Sequence, residues 1–401
     1  MRADSGEAWV QQIVLAGASS VFGLSEIREA FRSLGIEAVF AEAPYMKKYQ
    51  DCAEQDDIEF CGTIPHGKKA VPLSEYWISE CIKSGNCLVC EKALRAGRSK
   101  KFFYSLLQDT QRVPELYSSP EEARRYAELT GGTILVKPDG LFSGYGIKIV
   151  QKDNLCSLEK YMFNAARLHN NALKLFSVTG GSVLLSEYVC GTEFSADIFY
   201  FRGAVAVVRV CRKEIAVIHN TPCAAVYQLA GCSEKISVCL EKWAHAVFES
   251  DDISFGQFDF IQTDEDEFVP VDFAPRVGGG IRELLMNCKE NLYALAVKSL
   301  SGHEAPEIPE KKAEEKMALT QCNYLPTKSG IISNDCYRLL PGIPYIFKRA
   351  GDFVPECPSS AASRIAATVS MHRFPIEKEL LPLLLVGDEH ISFWKKKQGQ
   401  R

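Results

Sequence analysis

Two aspartates, Asp259 and Asp272, stand in FGQFDFIQTDEDEFVPVDFAPRVGGG, where apolar and polar residues alternate on either side of the acidic turn DEDE. Alternation of this kind predicts the two strands of a hairpin. Closing the hairpin about the middle of its turn puts Phe258, Phe260, Val271 and Phe273 on one face and sets Asp259 against Asp272 on the other. Like charges directly opposed across a strand pair are destabilising, so a positive group is expected between them. A divalent cation carrying phosphate oxygens fits, because hard cations take carboxylate ligands. A solvated acidic face is the plain alternative. Arg276, a few residues on, adds a planar donor fork for an anion.

A second group of residues suits phosphate. Lys137 ends the apolar strand ILVK, and Pro138 and the loop DGLFSGYG follow. Gly140, Gly144 and Gly146 leave backbone N–H groups unobstructed by Cβ atoms, Ser143 adds a hydroxyl, and Lys137 adds a compact positive charge. The Gly-Lys-Ser/Thr of a P-loop is missing, and an ordinary hairpin is the competing reading. Downstream, LLSEYVCGTEF is an apolar strand that breaks at Gly191. Backbone groups at such a strand end can bond an adenine edge, and Glu193 can accept from ribose hydroxyls. Glu187 either contacts the base or faces solvent.

The elements that must position these groups are legible as periods and breaks. QQIVLAGASSVFGLSEIREAFRSLGIEAVF reads strand, helix, strand, a parallel α/β unit. It lacks G-x-G-x-x-G, against a dinucleotide site. Gly17, Ser19 and Ser20 either meet an anion at the helix start or form a plain turn. NCLVCEKAL reads as the start of a last strand–helix unit, with a boundary near residue 98. SKKFFYSLLQDTQ and SPEEARRYAEL read as helices, the second with a Ser cap, a proline at its first position and acids in its first turn. Successive strands turning at Gly191 and Arg202-Gly203 follow, and IRELLMNCKENLYALAVKSLSG reads as one helix. EAPEIPEKKAEEK is a linker or an exposed helix edge, and short strands complete the chain.

Composition sets outer bounds. A chain of 401 residues that is 46% hydrophobic suggests two or three domains. Its net charge of −5 offers no basic footprint, so nucleic acid is not an expected partner. No apolar run approaches the roughly 20 residues that cross a bilayer. No membrane partner is expected, and with no signal-peptide core the expected location is cytoplasmic. The fifteen cysteines are odd in number and scattered, which does not suggest a disulfide framework. Cys87 and Cys90 lack a second ligand pair for zinc. Cys190, Cys211, Cys223 and Cys232 read as small core residues.

Taken in order, the lysine pair in SKKFF, VKP with its Gly-Ser loop, SEYVCGTEFS and DFAPRVGGG resemble the signature of the ATP-grasp superfamily over about residues 98–300. Within it the chain looks most like the carboxylate–amine ligases, including L-amino-acid (dipeptide) ligases, and its tail resembles their small β-rich C-terminal domain. The resemblance implies an α/β and α+β multidomain chain. A Rossmann-like N-terminal domain would span 1–98, an ATP-grasp domain 99–310 with a lid at about 115–185, and a small β-rich domain 311–401.

The resemblance also implies roles. ATP would lie beneath the glycine-rich lid that carries Ser143 and Gly144. Lys100 or Lys101 would hold its phosphates together with Lys137. The Val189 backbone would meet adenine beside Glu187, and Glu193 would meet the ribose. Asp259 and Asp272 would carry magnesium (or manganese), and Arg276 would steady an acyl phosphate. Gly278, Gly279 and Gly280 would let the substrate approach, and Arg212 or Lys213 would add a phosphate or carboxylate contact. His219 is a substrate-side group or, more simply, a structural histidine. Two positions depart from the family pattern: Asp272 stands where glutamate is usual, and Ala274 where asparagine is usual. The implied reaction joins a small carboxylate, an amino acid for instance, to an amine. A bicarbonate-using carboxylase-like relative and a non-catalytic nucleotide-binding protein are the alternatives. Homodimers are common among such relatives.

Overall fold

The structure is a computed structural model that describes residues 11–18, 21–43, 58–167, 182–302, 319–333, 342–355, 364–370, 385–386 and 391–392. Ser19, Ser20 and the segment EAPEIPEKKAEEK lie outside the described residues. Strands β1 (Gln11–Ala16), β2 (Ile36–Ala41), β3 (Phe60–Cys61) and β4 (Lys69–Pro72) form a parallel sheet in the order β3-β2-β1-β4. The helix Leu24–Ser33 covers it with Leu24, Ile27, Ala30 and Phe31, an apolar stripe at helical spacing. A side chain at Gly17 would meet Ser74 Oγ at 2.7 Å and Trp77 Cδ1 at 2.8 Å, so this is a tightly packed turn. The strand expected at NCLVCEKAL shrinks to one bridge between Ala70 and Cys87. Cys90 instead caps the helix Glu91–Arg98, its sulfur accepting from the Ala93 N–H at 3.4 Å.

A small antiparallel sheet follows, built from β5 (Leu116–Tyr117), β6 (Ile134–Pro138), β7 (Lys148–Val150) and β8 (Val183–Glu187) in the order β5-β8-β6-β7. The helices Pro120–Thr130 and Leu158–Ala166 back it through Ala123, Ala127, Leu158 and Ala165.

The largest sheet carries β9 (Thr192–Phe201), β10 (Ala204–Ile218), β11 (Thr221–Ala230), β12 (Ile253–Gln262) and β13 (Phe268–Ala274). Beyond these come β14 (Thr320–Pro326), β15 (Gly330–Ile332), β16 (Ile343–Ile346), β17 (Phe353–Val354), β18 (Ala366–Ser370), β19 (Leu385–Val386) and β20 (Ile391–Ser392). Nine strands join in the order β13-β12-β9-β10-β11-β14-β18-β16, with β19 beside β14. The division expected after residue 310 does not interrupt this sheet, because β14 pairs with β11 at Cys322↔Val226. The strands β15, β17 and β20 make a separate small sheet.

Two local departures from the sequence reading have clear causes. The helix expected over IRELLMNCKENLYALAVKSLSG is two, Arg282–Met286 and Leu292–Ser301. Asn291 starts the second by accepting from the N–H groups of Tyr293 and Ala294, the competition with helix continuation that asparagine offers. In the hairpin, the register shifts between Asp259 and Phe260, which pairs with Pro270. Val271 is therefore a bulge residue, half-buried and lining a cleft, rather than a fourth member of the apolar face. Proline has no N–H to give a ladder, and bulges are where strands tolerate it.

Phe258, Phe260 and Phe273 are fully or nearly buried. They meet Phe103 and Trp243 from the helices Lys100–Leu107 and Glu234–Val247 at ring distances of 5.4–6.3 Å. This aromatic layer fixes β12 and β13 from behind, which holds their polar face still. Of the cysteines, Cys211 and Cys223 are buried but Cys190 is exposed, since it sits in the break before Gly191 rather than in a strand. Among the described residues no helix is long and apolar enough to cross a membrane.

Candidate active site

A cleft of about 500 Å³ lies between the polar face of the large sheet, the small antiparallel sheet with its loop, and the N-terminal segment Leu73–Glu75. Asp259 and Asp272 are register partners, as the hairpin geometry requires. Each has its own cation. Lys213 Nζ lies 2.8 Å from Asp259 Oδ2 and 2.7 Å from Glu193 Oε1. Lys100 Nζ lies 3.1 Å from Asp272 Oδ1 and also donates to the Leu141 carbonyl of the loop at 3.1 Å. Burial would raise the Asp259 carboxyl, but the Lys213 ammonium outweighs it and holds Asp259 below the usual carboxylate range. Burial works against the Lys213 ammonium too, yet Asp259 and Glu193 together raise it above its ordinary value.

Among the described residues no three His, Cys, Asp or Glu side chains converge as a metal cluster. Two facing carboxylates nonetheless suit magnesium, which takes one or two protein carboxylates and completes its octahedron with substrate phosphates and water. The residues present fit an ion carried in on phosphate rather than a metal centre built by protein alone.

Lys137 is buried, and its ammonium donates to Tyr104 Oη at 3.3 Å. Burial first, then repulsion from Lys100, pushes it down to about 8. The loop after it turns through left-handed backbone at Gly140, Ser143, Gly144 and Gly146. Asp139 ties the start of this loop to the helix Lys100–Leu107. Its carboxylate accepts from Ser99 Oγ at 2.9 Å and from the Lys100 N–H at 2.8 Å.

At the other end of the cleft, Glu187 accepts from Arg112 at 2.7 Å and from the Glu115 N–H at 3.2 Å. The Glu187 and Tyr188 amides pair back to Glu115 and Thr133. Val189, buried and cleft-lining, takes part in none of those backbone bonds among the described residues.

Arg276 lines the cleft, but its Nε and Nη2 both donate to Glu75 Oε1, while Nη1 donates to Gln257 Oε1 at 2.6 Å and to the Val277 carbonyl at 2.8 Å. Gly279 and Gly280 line the cleft, whereas Gly278 lies beneath it. The Gly278 N–H donates to Asp197 Oδ1 at 3.1 Å, and a Cβ there would come within 2.4 Å of Arg209 Nη2. Asp197 and Arg209 form a fully buried ion pair, and Tyr293 Oη donates to the same carboxylate at 3.0 Å. This pair pins the glycine run from below.

Of the remaining candidates, Lys100 rather than Lys101 reaches the cleft, since Lys101 is exposed on the next helix position. Arg212 lies at the rim and pairs with Glu214 at 2.9 Å, leaving the inner position to Lys213. His219 is outside the cleft, in the left-handed turn His219-Asn220 between β10 and β11, with Nε2 2.8 Å from the Thr327 carbonyl.

Glu75, Gln257, Asp197, Arg209 and Asp139 escaped the sequence reading. Asp197 and Arg209 had a signal: opposite charges inside the apolar strands ADIFYF and VVRVC, which only a partner could stabilise. Glu75 had none, because it reads as an ordinary acid in a helix's first turn.

No family model matches the chain. Solved structures do, over nearly the whole of both chains. L-amino acid ligase from Bacillus licheniformis superposes with a TM-score of 0.57 at 14% identity, covering 92% of this chain and 96% of the other. Biotin carboxylase from Campylobacter jejuni gives 0.55 at 13% identity, with 90% and 88% covered. Phosphoribosylglycinamide synthetase from Anaerococcus prevotii gives 0.51 at 17% identity, with 93% and 97% covered. The chain thus shares the fold of these three structures; at such identities the likeness speaks for the fold alone.

Proposed function

We propose that this protein is an ATP-dependent ligase that joins a small carboxylic acid to an amine through an acyl phosphate. The observation that carries the reading is the placement of Asp259 opposite Asp272 in one cleft with Lys100, Lys137 and Arg276. A carboxylate resists amines because oxide is a poor leaving group. Transfer of the γ-phosphoryl group of ATP to a carboxylate oxygen makes phosphate the leaving group, and the amine then displaces it at the carbonyl carbon. The products are an amide, ADP and phosphate.

In this reading Lys100, Lys137 and the loop amides hold the phosphates, and the Val189 backbone meets the adenine edge. Magnesium, when bound at Asp259 and Asp272, supplies charge neutralisation between the phosphate oxygens. Arg276 supports the charge developing on the acyl phosphate, and the loop excludes water from it. Ala274 and the shorter Asp272 leave more of the magnesium sphere to water. An amino acid is the acid we favour, given the full-length likeness to a protein described as an L-amino acid ligase.

The test is incubation with ATP, magnesium and pooled amino acids, and separately with bicarbonate, reading phosphate and new masses. Phosphate that appears only with an amino-acid pool, together with an amide mass, supports the proposal. Phosphate with bicarbonate alone points to a carboxylase-like reaction. Tight ATP binding without turnover on any pool points to a non-catalytic nucleotide-binding protein.

A further inference from the structure

We propose that Glu75 is a movable counter-ion: a substrate carboxylate takes its place on Arg276, and Glu75 transfers to the partnerless Nε–Nη2 edge of Arg98. The identity of the incoming anion rests on the ligase reading; the exchange itself rests on the geometry below.

Arg276 is the cleft's candidate for gripping the reacting acid, yet its Nε–Nη2 edge is filled by Glu75 from the N-terminal region. Any anion that binds this edge must displace a carboxylate already in place. A displaced Glu75 without a new partner would be a poorly solvated charge, which is costly.

Arg98 offers that partner. It ends the helix Glu91–Arg98, is 3% exposed, and its Nε and Nη2 are sealed from solvent with no hydrogen-bond partner. These two atoms form the parallel donor edge that accepts a carboxylate side-on. The same chain demonstrates the geometry: Arg209 grips Asp197 through Nε and Nη2, each at 3.1 Å. The neighbourhood is tight, because a Cβ at Gly97 would come within 2.3 Å of Pro275 Cδ, so the helix end abuts the residue before Arg276. Burial pushes the Arg98 guanidinium down to about 10, with attraction from Glu75 and repulsion from Arg276 acting on it.

The exchange keeps each charge paired: an incoming carboxylate takes over the Nε–Nη2 edge of Arg276, and Glu75 moves to the Nε and Nη2 of Arg98, which have no partner. The Arg98 edge is sealed from solvent, and Glu75 stands near enough for its charge to act on the Arg98 guanidinium. Glu75 and Arg98 are therefore positioning residues, acting through Arg276.

The test is a double-mutant cycle on the full chain loaded with magnesium ADP, with acetate as the probe and binding followed by NMR. Glu75→Gln removes the competitor and tightens acetate about tenfold, while Arg98→Met removes the second seat and weakens it about tenfold. In the Glu75→Gln background the Arg98→Met loss shrinks to less than about twofold, because no displaced carboxylate needs a seat. Arg98→Lys, which keeps the charge without the planar edge, gives a smaller loss that Glu75→Gln also erases, and it serves if Arg98→Met does not fold. An Arg98 loss of the same size with and without Glu75 overturns the proposal, as does a Glu75→Gln variant that binds acetate no more tightly. The cycle needs no turnover, so its failure and the failure of the ligase reading are separate results.

Discussion

Asp259 and Asp272 face each other across β12 and β13, yet each is held by its own lysine: Lys213 from β10 on one, Lys100 from the helix Lys100–Leu107 on the other. On the proposed reading, magnesium on polyphosphate would share both carboxylates with these ammonium groups. Asp272→Asn removes the carboxylate that couples Lys100 to the ion and is expected to cut turnover by about 10²–10³-fold, the scale of losing one preorganised charge. Phosphate release measured across a magnesium titration checks it; a rate within twofold of the parent contradicts it.

The two adjacent lysines separate cleanly. Lys100 is buried and bridges Asp272 and the loop, while Lys101 is exposed. Lys100→Ala should weaken nucleotide binding by tenfold or more, roughly one charge-assisted hydrogen bond. Lys101→Ala should leave both affinity and stability unchanged to within about 0.5 kcal/mol. Calorimetric titration with magnesium ADP distinguishes them.

Lys137 predicts a pH dependence. Its folded value of about 8 lies below its ordinary 10.5, so between these values the unfolded chain holds more protons than the folded one. Stability from this group therefore rises with pH across that window, and charging it at lower pH costs stability. On the proposed reading nucleotide binding uses the ammonium, so above pH 8 binding should take up a proton and affinity should fall by up to about tenfold per pH unit. Lys137→Arg, which stays charged, should show a flat profile from pH 7 to 9. A flat profile in the parent protein would contradict the role of Lys137.

The buried pair under the glycine run predicts stability rather than chemistry. Asp197→Asn leaves Arg209 buried without its counter-charge and is expected to cost about 3–5 kcal/mol, read as a lower urea midpoint. Replacing both partners by apolar residues should cost less than either single change.

Much of this site was legible from residue types because strand alternation fixes which side chains share a face. Asp259 and Asp272 met as the alternation required, and Lys137 met the cleft because it ends a buried strand. Val271 escaped because a bulge changes the register by one residue, and only the pairing partner of Pro270 reveals it. His219, read as a substrate-side group or more simply as a structural histidine, fits the simpler reading: it bonds the Thr327 carbonyl from the turn between β10 and β11 and does not line the cleft. Glu75 and Arg276 are separated by 201 residues in the chain, and no local pattern anticipates such a contact. The break before Leu292 was written in Asn291, a capping residue inside an otherwise helical period.

The most direct measurement is a crystal structure of the protein grown with magnesium and a non-hydrolysable ATP analogue. The expected result is an ion at about 2.0–2.1 Å from carboxylate oxygens of Asp259 and Asp272, also bound to phosphate oxygens that Lys137 contacts. It is contradicted if the nucleotide lies elsewhere, with Lys213 and Lys100 still the only cations on the two aspartates.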